Sequence, residues 1–102
     1  MIKKYKPGCS KELRELVKDE SIYLGDIDTS LITDMTWLFC DSIRTSFAGL
    51  ETWDTSNVTT MERMFHRAEF FNHPIGNWDV SNVTNMESMF GCCRNFNQPL
   101  ND

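Results

Sequence analysis

Three aspartates occupy one position of a recurring Asp-x-Ser element: Asp28, Asp54 and Asp79. Carboxylates stacked about 5 Å apart, the spacing of paired chains, would hold a cation or a basic partner, or else repel one another. The preferred reading is local. Each carboxylate can accept the N–H of the serine two residues on, as an Asx turn. Calcium needs six or more oxygens, and neither an EF-hand nor a glycine-aspartate nonapeptide is present, so no metal is expected. Met61, Met64, Met86 and Met89 could offer soft ligands or a promiscuous groove, but their spacing favours core packing. Trp53 and Trp78 could be sugar platforms. They share an apolar position with Ile27, which favours burial. Cys9, Cys40, Cys92 and Cys93 form no CxxC and no His/Cys set at zinc spacing, and Cys93 stands where Ala68 stands one unit earlier. Free thiols are the plain reading. His66 and His73 have no recurring nucleophile or orienting carboxylate. No catalytic residue and no cofactor is therefore expected, and the chain reads as non-enzymatic.

The elements behind these residues are repeats. Asp28-Thr-Ser-Leu-Ile-Thr-Asp-Met-Thr-Trp-Leu-Phe39 returns at Asp54–Phe65 and again at Asp79–Phe90, offset by 26 and then 25 residues. A period in this range marks stacked units that bury their apolar faces on one another. The units read as 24–49, 50–74 and 75–102. Each opens on Leu24-x-x-Ile27, Leu50-x-x-Trp53-x-Thr55 or Ile75-x-x-Trp78-x-Val80, a spacing that matches the leading strand of a leucine-rich repeat. A helical turn follows. Thr33, Thr59 and Thr84 are its candidate N-caps, and Glu62 and Glu87 complete capping boxes. Phe39, Phe65 and Phe90 form an inward column. A return loop closes each unit around Phe47, Phe71 or Phe96, and Pro74 and Pro99 forbid a longer helix. Asn57 and Asn82 read as a ladder satisfying loop backbone. Residues 1–23 form a cap whose helix runs from Ser10, its N-cap, to Glu20, with Leu13, Leu16 and Val17 inward. The expected fold is α/β: a leucine-rich-repeat-like solenoid of short parallel strands and short helical turns with an N-terminal capping helix.

The strings Trp53-Asp-Thr-Ser-Asn-Val-Thr-Thr-Met-Glu-Arg-Met-Phe65 and Phe71-Asn-His-Pro-Ile-Gly-Asn-Trp-Asp-Val-Ser-Asn-Val-Thr-Asn-Met-Glu-Ser-Met-Phe90 resemble the BspA-like leucine-rich-repeat surface proteins. These also carry a Mycoplasma-type repeat known as a domain of unknown function. The likeness spans residues 24–100, and the preceding helix resembles the leader of such arrays. It implies a bacterial surface or secreted protein of adhesion type. Fold likeness transfers no ligand.

Charge narrows the partners. The net charge is −5, yet residues 1–23 carry six Lys/Arg against four Asp/Glu, and residues 24–102 carry four against eleven. An acidic repeat region argues against nucleic acid, and no apolar run is long enough to span a membrane. The expected ligand is a protein or a glycan. The expected surface is the exposed strand face: Asp26, Asp28 and Ser30; Thr52, Asp54 and Ser56; Asn77, Asp79 and Ser81. A structural spacer or an intracellular protein–protein adaptor is the alternative; no signal-peptide pattern follows Met1, which keeps the adaptor open. Residues 84–102 stop in mid-repeat and read as the end of an excised fragment or as an open end that either associates, with a second copy or another molecule, or folds back or frays.

Overall fold

The apolar pair Leu13 and Val17, four residues apart, lies on one side of a helix, and that side is buried. The computed structural model describes residues 3–93 and residue 96. Its helix α1 (Ser10–Val17) begins at Ser10 and ends short of the Glu20 that the spacing predicts. Cys9, not Ser10, takes the N-cap position, and its side chain caps nothing. Ser10 Oγ donates instead to the Asp34 carbonyl. At the far end Asp19 N–H bonds back to Leu16, which closes the helix before Glu20.

The expected strands are not there. Among the described residues no β-strand forms, and β-type pairing is confined to three isolated parallel bridges: Tyr5 with Ile27, Asp34 with Thr60 and Thr60 with Asn85. A solenoid of short parallel strands is therefore incorrect. The reason lies in the spacing itself. Residues i and i+3 fall on opposite faces of a strand but on one side of a 3₁₀ turn. Leu24–Asp26 and Leu50–Thr52 form such turns, and Trp78 N–H closes on the Ile75 carbonyl in the third unit. Ile27, Trp53 and Trp78 still point inward, with relative exposures of 0%, 4% and 7%.

The helical turns are likewise absent. Residues 35–42, 61–68 and 86–93 run as overlapping four-residue turns, with positive φ at Trp37, Asp41, Arg63, Arg67, Ser88 and Cys92. Such a φ suits the third residue of a type II turn and breaks any α-helical run. Thr33, Thr59 and Thr84 cap no helix, and Glu62 and Glu87 complete no capping box. The turns start one residue later, where Asp34 Oδ1, Thr60 Oγ1 and Asn85 Oδ1 accept the N–H of Thr36, Glu62 and Glu87.

Backbone bonds join the units. Met35, Trp37, Phe39 and Asp41 donate to the carbonyls of Thr60, Glu62, Met64 and His66 at 2.7–3.0 Å. Met61, Arg63, Phe65 and Arg67 repeat the pattern onto Asn85, Glu87, Met89 and Gly91. The intervening N–H groups of Leu38, Cys40 and Ser42, and of Met64, His66 and Ala68, close the turns within a unit. Every second N–H thus serves the neighbour, which is how a segment without strands satisfies its buried backbone.

Aromatic columns fill the interior. Phe39, Phe65 and Phe90 stack at 5.4 and 5.7 Å, and Trp53 and Trp78 stack at 6.5 Å. Trp53 Nε1 donates to Leu24 and Trp78 Nε1 to Leu50, so each indole fastens its unit to the one before. Met86 departs from the expected core packing: it is 43% exposed where Met61 is fully buried. Residues 94–95 and 97–102, and with them part of the expected open end 84–102, lie outside the described residues.

Candidate functional site

The expected surface residues are half-buried or exposed, and most are engaged locally. Ser30, Ser56 and Ser81 N–H donate to Oδ1 of Asp28, Asp54 and Asp79 at 2.9–3.0 Å, which is the Asx turn. At Asp79 the Ser81 hydroxyl, then its N–H, holds the carboxyl below its ordinary range. At Asp28 the Ser30 N–H and hydroxyl do so first, and Lys6 adds to them from 3.9 Å. Thr52 Oγ1 donates to the Gly49 carbonyl and accepts from Lys3, while Asn77 donates to Glu51. The Asp26 carbonyl takes the Tyr5 N–H. The asparagine ladder forms: Asn57 and Asn82 donate to the Ser30 and Ser56 carbonyls. This side repeats itself nearly unchanged from unit to unit.

The turn segments do not. Equivalent positions carry Trp37, Arg63 and Ser88; Cys40, His66 and Gly91; Asp41, Arg67 and Cys92. The Arg63 guanidinium lies 5.0 Å above the Trp37 ring, a cation–π contact, and His66 meets that ring edge-on at 6.3 Å. Arg67 faces Asp41 at 4.0 Å. His66 Nδ1 is buried without a partner beside Gly91, where a Cβ would fall 2.5 Å from it. Glycine in the third unit makes room for the imidazole of the second.

The first return loop is built differently again. Arg44 is buried, and its guanidinium donates to the carbonyls of Val17, Asp19, Ile22 and Ser46 at 2.7–3.2 Å. Three of these acceptors lie at or beyond the C-terminal end of α1, where a cation also meets the negative helix end. Burial lowers the Arg44 pKa, opposed by Glu20 and Asp19 nearby. Glu20 Oε2 in turn accepts the Thr45 hydroxyl and the Thr45 and Ser46 N–H groups, and these bonds, the hydroxyl foremost, lower its pKa. Between α1 and this unit opens a cleft of about 320 Å³ lined by Arg14, Val17, Lys18, Trp37, Leu38 and Ile43 among others.

None of these cleft residues is in the surface read from the sequence, which followed the repeating positions. The available signal was departure from the repeat: Arg44 is the only basic residue from Gly25 to Glu62, in the return loop that has no proline. Among the described residues no group of three or more His, Cys, Asp or Glu side chains converges as a metal would require. All four cysteines are free thiols; burial raises the pKa of Cys40 and Cys93. No described helix is long and apolar enough to cross a membrane.

The family model described as Mycoplasma protein of unknown function, DUF285, matches residues 10–102. No curated protein and no solved structure matches the chain.

Proposed function

The chain belongs to this Mycoplasma family of unknown function, and from that premise we propose that it is a non-enzymatic recognition scaffold whose contact surface is the irregular turn face, Trp37, Asp41, Arg63, His66 and Arg67. One observation carries the reading. The turn segments spend their backbone on neighbouring units while their side chains differ at each equivalent position. A fixed backbone with variable, exposed side chains is what a repeat protein offers a partner. Trp37 and the arginines are residue types that dominate contact energies. Both histidines have structural surroundings, His73 with Glu51 at 2.6 Å and His66 against Trp37, which supports binding over catalysis.

The partner class is protein, with a glycan as the alternative ligand. A surface or secreted role of adhesion type is part of the same proposal and rests on the BspA-like resemblance. The Asp-x-Ser side, Asp54, Ser56, Asp79 and Ser81 above all, is the competing surface. Its uniformity also suits a structural spacer. A peptide-display selection and a glycan array on the full chain separate these readings. Binders should be weakened by Trp37→Ala and Arg67→Glu and unaffected by Asp54→Ala with Asp79→Ala. The reverse pattern moves the surface to the aspartate side. No binder from either library leaves the spacer.

A further inference from the structure

We infer that the cleft between α1 and the first unit takes one large apolar side chain of an acidic peptide, with Arg14 and Lys18 receiving the carboxylates that flank it. This rests on the recognition reading and names its ligand class. The floor is apolar: Val17, Leu38 and Phe39 are buried beneath it. At its walls Trp37 is 44% exposed and Ile43 is 84% exposed, two large side chains left in water around one concavity. Such a patch is a binding surface in the making. Its size is at the small end of ligand pockets, enough for a side chain and its flanking backbone.

Charge selects the peptide. Of the acids on the rim, Glu20 is engaged by the Thr45 and Ser46 donors, and Asp41 lies 4.0 Å from Arg67 in an exposed pair. Arg44 is spent on its four carbonyls. Arg14 uses one nitrogen on the Thr36 carbonyl, and among the described residues no carboxylate pairs with it within 4 Å. Among the described residues Lys18 meets only Glu15, at 3.6 Å in an exposed pair. An exposed pair of that kind is easily exchanged for a better partner. The lining carries Arg14, Lys18 and Arg44 against Glu20 and Asp41, so its balance is positive, with Arg14 and Lys18 four residues apart at the C-terminal end of α1, on a protein whose net charge is −5. Trp37 already has Arg63 on one ring face. A sugar, which prefers an open ring face and several fixed hydrogen-bond donors, fits this rim less well than carboxylates do.

The test uses the full chain and nuclear magnetic resonance. The probes are the blocked pentapeptides Asp-Glu-Phe-Glu-Asp, Asp-Glu-Ala-Glu-Asp and Lys-Arg-Phe-Arg-Lys, and chitotetraose. The first should shift the Trp37 indole N–H and the amides of Lys18, Leu38 and Ile43. The alanine peptide should bind at least tenfold more weakly, as should the first peptide to Lys18→Glu or Ile43→Ser, both at exposed positions. Equal binding of the basic peptide, or chitotetraose shifting the same signals, overturns the inference. So does no shift by about 1 mM peptide, the weak end of specific binding. Shifts confined to Arg67 and Cys92 overturn the cleft while leaving the recognition reading standing. That reading falls separately, in the display selection.

Discussion

Arg14 Nη2 reaches the Thr36 carbonyl at 3.2 Å and so fills, from a side chain, an acceptor that backbone fills in later units. At the equivalent carbonyls Glu62 receives the Trp37 N–H and Glu87 receives the Arg63 N–H. Ser10 Oγ does the same at Asp34, where Thr60 and Asn85 receive the N–H of Met35 and Met61. Helix α1 thereby closes the first unit with hydroxyl and guanidinium donors in place of a preceding unit's amides.

Removing these two donors should loosen the first unit. Each lost hydrogen bond costs about 1 kcal/mol. Ser10→Ala with Arg14→Ala should lower urea stability by about 2 kcal/mol. Amides of Met35, Trp37 and Phe39 should then exchange faster relative to those of Met61, Arg63 and Phe65. Unchanged exchange would show that α1 caps by apolar contact through Leu13 and Val17 alone.

Arg44 ties the return loop to the end of α1, and its loss takes this donor from the Val17, Ile22 and Ser46 carbonyls, while the Asp19 carbonyl keeps the Ile22 N–H. Leaving a buried polar group without its partner costs about 1–3 kcal/mol. Arg44→Met, which keeps the aliphatic bulk, should therefore lower the denaturation midpoint markedly, and Arg44→Lys should recover little because one ammonium cannot span the fork. Full rescue by lysine would mean that charge, not geometry, holds the clamp.

The indoles offer a cleaner dissection. Trp53 is buried, stacked on Trp78 and bonded through Nε1 to Leu24. Trp53→Ala should cost about 3–5 kcal/mol by cavity formation. Trp53→Phe keeps a ring and loses the bond, at a cost of about 0.5–1.5 kcal/mol, since the Leu24 carbonyl still accepts the Ile27 N–H. Equal costs in urea unfolding would make the hydrogen bond irrelevant.

The inward residues were legible where the architecture was not. Met61, Met64 and Phe65 read as buried from their spacing, and they are, but that spacing serves a helix and a run of turns equally. What separates the two is whether alternate N–H groups leave for another unit, a long-range fact absent from local pattern. The positive φ values fall on Trp37, Arg63 and Ser88, with no glycine or asparagine to announce them. The Asx turns were legible because Asp-x-Ser carries donor and acceptor two residues apart. Arg44 was hidden because its partners are carbonyls, which every residue has.

Acid should act through the carboxylates that the fold holds below their ordinary pKa. Glu20, Asp28, Glu51 and Asp79 are all lowered, by hydroxyl and backbone donors and, at Glu51, foremost by His73. A lowered folded-state pKa means that the unfolded chain binds the proton more readily. The stabilisation is then complete above the unfolded values, about 4, and is lost as pH falls through the folded ones. Melting temperature should be flat from pH 7 to pH 5.5 on this account and fall steeply below about 4. Glu20→Gln should lower the plateau and flatten the acid limb, because an amide oxygen accepts from Thr45 and Ser46 more weakly and does not titrate. A variant that loses stability equally at pH 7 and pH 3 would assign Glu20 a packing role without a titrating one.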